Sequence, residues 1–239
     1  KKEKEKEKEM GHKGSKHKQK VIGGEESGLT KLKLVEIGDG GTGKTCFMKR
    51  HVNFEFPQGY VPTTMDDYTQ PKFEWGRGNP NGLSEEDEGK TVELVMWDTY
   101  TSEDYPRLRV LMYPQTDIFL VFFSVMGPCS FLNTERVWVP EIRHHMPQTP
   151  FILVATKVDL RDDAEALKRL AIRGEEPIDS DTGLEKAKEL GAVGYVECSA
   201  KTGLNVHEIV ERATYLVMKG DRNFFTIFAE RGINVKKAR

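Results

Sequence analysis

Leu32-Lys33-Leu34-Val35-Glu36-Ile37 runs without a break into Gly38-Asp39-Gly40-Gly41-Thr42-Gly43-Lys44-Thr45, and the fold turns on that junction. Leu32, Leu34, Val35 and Ile37 form the apolar run of a buried strand. The glycines end it in a turn, and Phe47 to Val52 fit a helix. Strand, Gly-rich turn and helix are the context that the pattern G-x-x-x-x-G-K-[ST] demands. The same residues also satisfy G-x-G-x-x-G through Gly38, Gly40 and Gly43. That dinucleotide pattern needs an acid about 20 residues on, at the end of a second strand. Residues 56–64 are instead Phe-Pro-Gln-Gly-Tyr-Val-Pro-Thr-Thr, a loop. Lys44-Thr45, directly after the last glycine, decides for a phosphate loop.

The chemistry of such a loop is simple. Glycines let consecutive backbone N–H groups wrap a phosphate, and the following helix adds the positive end of its dipole. Lys44 supplies a point charge for the β- and γ-phosphates, and the Thr45 hydroxyl is a hard oxygen ligand for Mg²⁺. Glu36 is out of place in the strand before it. A buried carboxylate must be paired or protonated, and no partner can be read from the sequence.

The rest of the chain fits an α/β fold with a mostly parallel sheet. Ile118 to Ser124 and Phe151 to Ala155 are short apolar runs, as in strands covered on both faces. Val92 to Trp97 and Tyr195 to Cys198 read as further strands. Residues 67–75 read as a strand pushed to the sheet edge by Pro71. Helices are expected over Ser130 to His145, residues 163–172, residues 183–190 and Val206 to Met218. Strands alternating with helices place helices on both faces and a ligand at the carboxyl ends of the strands.

Among 239 residues, Lys+Arg number 36 and Asp+Glu 38, a net charge of −2 that leaves no bulk nucleic-acid footprint. Residues 1–20 hold nine Lys against four Glu, so the remainder carries −7. That Lys/Glu-rich arm has little apolar surface to bury and is expected to be disordered over 1–29. The three cysteines, Cys46, Cys129 and Cys198, form neither a disulfide framework nor a zinc spacing. No apolar run reaches the ~18 residues of a spanning helix, and a cytoplasmic setting follows as the default. The expected organisation is the 1–29 arm, a domain over 30–220 and an extension over 221–239. The apolar residues of Asn223 to Arg239 suit a short packed helix or a bridge to a further domain.

Several segments together resemble the Rho branch of small GTPases, especially Rac-like members, over about residues 31–219. The resemblance rests on Phe56-Pro57, Tyr60-Val61-Pro62-Thr63, Trp97-Asp98-Thr99, Glu103-Asp104-Tyr105 with Arg107-Leu108-Arg109, and Tyr113-Pro114-Gln115-Thr116-Asp117. It continues through Pro140-Glu141-Ile142-Arg143-His144-His145, Thr156-Lys157-Val158-Asp159-Leu160-Arg161-Asp162-Asp163 and Glu197-Cys198-Ser199-Ala200-Lys201. The phosphate loop itself looks locally more like Ran. Residues 163–182 resemble the helical insert of Rho members, and the fold implied is the small-GTPase one with a six-stranded sheet.

The resemblance implies a Mg²⁺-dependent switch that binds GTP and GDP. Asp159 would read guanine, its carboxylate accepting two hydrogen bonds that adenine does not offer in that pattern. Lys157 would lie along the base, Phe56 against its edge, and the backbone of Ala200 and Lys201 opposite its O6. Gly38, Gly40, Gly41, Thr42, Gly43, Lys44, Thr45, Cys46, Tyr60, Thr63, Thr101, Thr156 and Ser199 complete the implied nucleotide contacts. Thr45, Thr63 and Asp98 are the implied metal ligands. Taken singly, Asp159 reads as a turn residue, Phe56 as a core aromatic and Thr63 as a loop threonine; the joint spacing weighs against those readings.

The second switch departs from the family's Asp-Thr-Ala-Gly-Gln-Glu and reads Asp98-Thr99-Tyr100-Thr101-Ser102-Glu103. Ser102 replaces the Gln that orients the attacking water and lacks its carboxamide. Of the implied catalytic set, Lys44 and Thr63 remain and Ser102 stands in for the third. The implied activity is therefore GTP hydrolysis, strongly slowed, as in Rnd-like relatives. The alternative is a non-hydrolysing, nucleotide-bound scaffold module of a larger protein. A P-loop kinase or ATPase is disfavoured by Asp159 and Ser199-Ala200-Lys201.

Effectors would meet Tyr60, Val61, Pro62, Thr63, Asp66 and Tyr68 on the first switch. On the second they would meet Glu103, Asp104, Tyr105, Arg107 and Arg109, and exchange factors are further implied partners. The end of the chain has no Cys for prenylation. Met10-Gly11-His12-Lys13-Gly14-Ser15 fits the N-myristoylation pattern. With Lys13, Lys16, Lys18 and Lys20 it offers a route to an anionic membrane at the cytoplasmic face.

Overall fold

A computed structural model describes residues 29–59, 66–75, 89–99 and 106–220, with the backbone of 227–228. The chain order is β1 (Lys31–Gly38), α1 (Lys44–Asn53), β2 (Asp66–Glu74), β3 (Thr91–Asp98), α2 (Pro106–Val110) and β4 (Ile118–Ser124). It continues with α3 (Pro128–Asn133), a π-turn (Thr134–Trp138), α4 (Val139–His145), β5 (Phe151–Thr156) and a 3₁₀ turn (Val158–Leu160). The last elements are α5 (Ala164–Ala171), α6 (Ser180–Glu189), β6 (Gly194–Glu197), α7 (Val206–Lys219) and β7 (Ile227–Phe228). The basic arm, the Met10–Ser15 pattern and the loop over 76–88 lie outside the described residues.

The strands form one sheet in the order β2-β3-β1-β4-β5-β6-β7. Only the β2–β3 pair is antiparallel; the other pairs are parallel. Every residue of β4 and β5 is buried, as continuous apolar runs between two helical layers require. Side chains alternate across the sheet, so β1 feeds two cores. Leu32 and Leu34 join Phe47 and Met48 of α1 and Val206, Ile209 and Val210 of α7. Val35 and Ile37 join Phe131, Trp138, Val139 and Ile142 on the opposite face. Each such side chain, fully buried, contributes about 1.5–3 kcal/mol.

Pro71 marks β2 as an edge strand, and the β2–β3 register shifts between Gln70 and Phe73, around the residue that lacks an N–H. The helix expected as one piece over Ser130 to His145 is interrupted. The Val139 N–H reaches back five residues to the Thr134 carbonyl. Pro140 explains the wide turn, because its ring would clash with the carbonyl four residues earlier and it has no N–H to give. The expected six strands are also one short. Ile227–Phe228 pairs parallel with Tyr195–Val196, so these two residues of the extension form a strand and not part of the short packed helix that was one expectation. The strand covers the open backbone groups of the β6 edge, with α7 as the crossover that a parallel pair needs.

At the far end of α1, His51 is buried, its Nε2 3.3 Å from Gln70 Oε1 and its ring 4.7 Å from that of His207. Burial pulls its pKa down to about 4; the Gln70 bond opposes the shift and His207 adds to it. The unfolded chain therefore takes up a proton near pH 6.5 that the native state refuses until about pH 4. Stability should be full above pH 6.5 and fall by about 3 kcal/mol as pH drops towards 4. Urea unfolding of the parent and of His51→Phe across that range checks this. The parent should lose more stability than the variant, and equal slopes would assign the acid sensitivity elsewhere.

Candidate functional site

The site is built where β1, β3, β5 and β6 end. Gly38 closes β1 with φ 141°, and a Cβ there would lie 2.3 Å from the Phe122 carbonyl oxygen of the neighbouring strand. No other residue fits between the two backbones. Gly43 turns the chain into α1 in the left-handed region, φ 103°, with no side-chain cap. The first N–H groups of α1 thus carry no intrahelical partner and face the turn.

Lys44 lies back over this loop. It is buried, and its Nζ donates to the carbonyls of Gly38 at 2.8 Å and Asp39 at 2.9 Å. Burial lowers its pKa to about 8, against the pull of Asp98, Glu36 and Asp39. The Thr45 hydroxyl donates to Asp98 Oδ2 at 2.6 Å. Among the described residues nothing reaches Asp98 Oδ1, which is buried. Burial raises the Asp98 pKa to about 6, with the Thr45 bond opposing. A hydroxyl and a carboxylate with an orphaned oxygen suit a hard cation: Thr45 and Asp98 fit Mg²⁺ by the chemistry of the donor set.

A cleft of about 140 Å³ opens beside the loop, lined by Thr42, Gly43, Cys46, Phe47, Phe56, Thr156, Lys157, Asp159, Leu160, Cys198, Ala200 and Lys201. Four separate segments converge on it. The Thr156 hydroxyl donates to the Thr42 carbonyl at 2.5 Å, with the Phe123 carbonyl 3.0 Å away, and so ties the end of β5 to the phosphate loop. Lys157, at φ 60°, sends its Nζ to the Gly41 carbonyl at 2.6 Å and its stem along the cleft wall. The loop after β6 is braced by Ser199, which is buried and accepts from Thr202 N through its hydroxyl and from Gly203 N through its carbonyl.

Of the residues singled out from sequence, the structure brings Thr42, Gly43, Cys46, Phe56, Thr156, Lys157, Asp159, Ala200 and Lys201 to one cleft, with Gly38, Gly41, Lys44, Thr45 and Asp98 at the adjoining loop. Tyr60, Val61, Pro62, Thr63, Thr101, Ser102, Glu103, Asp104 and Tyr105 lie outside the described residues. Asp66 and Tyr68 stand half-buried on β2, and Arg107 is exposed on α2. Arg109 is not the open surface contact that the resemblance implied. It is 5% exposed and held by Glu141 in two hydrogen bonds, at 2.9 and 2.6 Å. Asp39 was read from sequence only as a filler of the motif. It accepts from Trp138 Nε1 at 2.6 Å and Asn133 Nδ2 at 2.7 Å. The one sequence signal for that role was an acid inside a glycine-rich turn.

Glu36 lies on the floor beneath the loop, paired in register with Asp98 and fully buried. Both carboxylate oxygens lack a partner among the described residues. Burial, then Asp98, push its pKa well above the ordinary carboxylate range, with Lys44 opposing. A group raised in this way costs stability increasingly as pH rises above its unfolded pKa of 4.5. Glu36→Val, close in volume and without the orphan oxygens, should raise stability at pH 7.5 by about 1–3 kcal/mol. Urea denaturation measures it, and a loss of stability would reveal a partner for Glu36.

Residues 33–219 match the family model described as the Ras family.

Proposed function

The chain belongs to the Ras family, whose members are GTP-binding signalling switches, and on that premise we propose that it is a Rho-type member that binds GTP and GDP with Mg²⁺ and hydrolyses GTP slowly. The observation that carries the reading is the single cleft into which the phosphate loop, the Thr156–Leu160 segment, the Cys198–Lys201 segment and Phe56 converge. A purine ring entering it meets an acid, Asp159, with the Lys157 stem on one wall and an aromatic edge at Phe56. Two charge-assisted hydrogen bonds from a guanine to Asp159 are the discriminating interaction. The phosphates then fall to the N–H groups at the start of α1 and to Lys44.

Mg²⁺, when bound, neutralises charge on the phosphate oxygens; Thr45 and Asp98 are the residues that would hold it. Helix α5 falls within the stretch that resembles a Rho insert and supports that branch of the family. We assign effector contact to the face carrying Asp66, Tyr68 and Arg107, with Arg109 removed from it. The domain limits of about 30–220 follow the same reading.

The parent should bind guanine over adenine nucleotides, and Asp159→Ala should erase the preference, by analogy with sites that lose 10⁴–10⁵ in discrimination with one polar contact. Competition between fluorescent GDP and unlabelled ATP or GTP measures it; equal affinity of the parent for both would overturn the reading.

Hydrolysis is a separate expectation. With Ser102 in place of Gln, single-turnover phosphate release should fall below the intrinsic rate of Ras, about 3–5 × 10⁻⁴ s⁻¹. The combined change Tyr100→Ala, Thr101→Gly and Ser102→Gln should raise it. A Ras-like rate in the unaltered chain would show that another group positions the water. Complete absence of release, before and after that change, would favour the scaffold reading.

A further inference from the structure

One continuous chain of contacts joins the phosphate loop to helix α2 without passing through the nucleotide cleft. Asp39 is its hub on the loop. The Asp39 carbonyl accepts from Lys44 Nζ at 2.9 Å and from the Thr42 hydroxyl at 2.8 Å, so it shapes the loop from inside. Its carboxylate points the other way, onto Asn133 and Trp138. Both hydrogen-bond donors to the carboxylate are neutral side chains.

Trp138 is 4% exposed and uses two sides of one rigid ring system. Its N–H edge meets Asp39. The Arg109 guanidinium sits over its ring, 4.7 Å from the centroid, at cation–π distance. Arg109 in turn is fixed by Glu141, which also accepts from the Tyr113 hydroxyl. The π-turn forced by Pro140 makes the arrangement specific. A wide turn rotates the residues beyond it relative to an unbroken helix; Trp138 closes that turn, and Glu141, which holds Arg109, lies beyond it. Arg109 lies on α2, the element directly after Tyr100 to Tyr105, where the resemblance places the second switch.

We propose that Asp39, Trp138 and Arg109 form a coupling element through which the phosphate loop and α2 bias each other, with Trp138 as the positioning residue between them. The inference rests on the nucleotide-binding reading above. It adds a direction: a shift of α2 that follows the third phosphate alters how Arg109 lies on Trp138, and Trp138 alters how firmly Asp39 holds the loop. Coupling of this kind is reciprocal, so loosening either end changes nucleotide retention.

The test is a double-mutant cycle on the full chain, read as release of fluorescent GDP and of a fluorescent non-hydrolysable GTP analogue. Asp39→Asn and Arg109→Lys should each speed release about three- to tenfold. The double variant should be no more than about twofold faster than the quicker single, because both changes break the same link. Each variant should also shift the ratio of diphosphate to triphosphate release at least threefold in the same direction. General destabilisation would speed both releases alike and leave that ratio unmoved. Trp138→Phe keeps a ring for Arg109 and removes the N–H, and should behave as Asp39→Asn; if it fails to fold, the other pair decides. Effects that multiply in the double variant, or an unmoved ratio, overturn the coupling. A parent that binds neither nucleotide overturns the reading beneath it, a result distinct from normal binding with independent variants.

Discussion

The contact between Gly38 and the Phe122 carbonyl is the constraint from which the rest of the site follows. Two parallel strands hold their backbones so close at this point that a single methyl group would lie 2.3 Å from an oxygen. The chain leaves the sheet there in a conformation that L side chains rarely adopt. Everything that converges later, the left-handed Gly43, the buried Lys44 and the bridge from Thr156, depends on the loop springing from that spot. The Thr156 bond then fixes the loop to β5, so three sheet strands set the position of one turn. Rigid elements thereby locate the donors, which is the condition for binding an anion without reorganising the site.

How much of this was legible in the sequence depended on the kind of signal. The apolar runs of β4 and β5 gave those strands almost to the residue, because complete burial leaves no polar interruption. Pro71 placed β2 at an edge for a reason that needs no neighbours. Local periodicity failed where tertiary chemistry decided. Helix α1 starts at Lys44, three residues before its apolar pattern begins, because Lys44 to Cys46 serve the loop and not the core. Helix α2 is five residues with Arg107 and Arg109 in its last turn, too short and too polar to show a stripe. The π-turn was written in Pro140, yet Val139 and Ile142 masked it by keeping helical spacing. Strand β7 is two residues long and exists through its pairing with β6. Within the site, the motif residues were readable as a set because each has its own chemistry. Asp39 was not, since its partners lie 94 and 99 residues away.

The electrostatics of the floor follow from geometry in a similar way. Glu36, Asp98 and Lys44 lie buried close together, and burial acts on all three in the direction that removes charge. Asp98 and Lys44 each have hydrogen-bond partners that resist this; Glu36 has no hydrogen-bond partner among the described residues, and only the Lys44 charge opposes its shift. The protein thus carries one apolar-site acid beside a functional pair of opposite sign. The Thr45–Asp98 bond marks where a hard cation would find its oxygens.

The central place of β1 has a consequence for how the chain comes off the ribosome. β1 is the first of the described strands in chain order and the third in the sheet, with β3 on one side and β4 on the other. Its second partner is complete only at Ser124, 86 residues after Gly38. At about 5–20 residues per second that is roughly 4–17 s of synthesis, during which the β4-facing edge of an apolar strand waits open. In such a nascent chain Lys31, Lys33 and Glu36 are solvated charges spaced through KLKLVEIG, and charges so placed deter one exposed strand from pairing with another. The residue that the finished sheet tolerates at a cost protects the same strand while the sheet is still unmade.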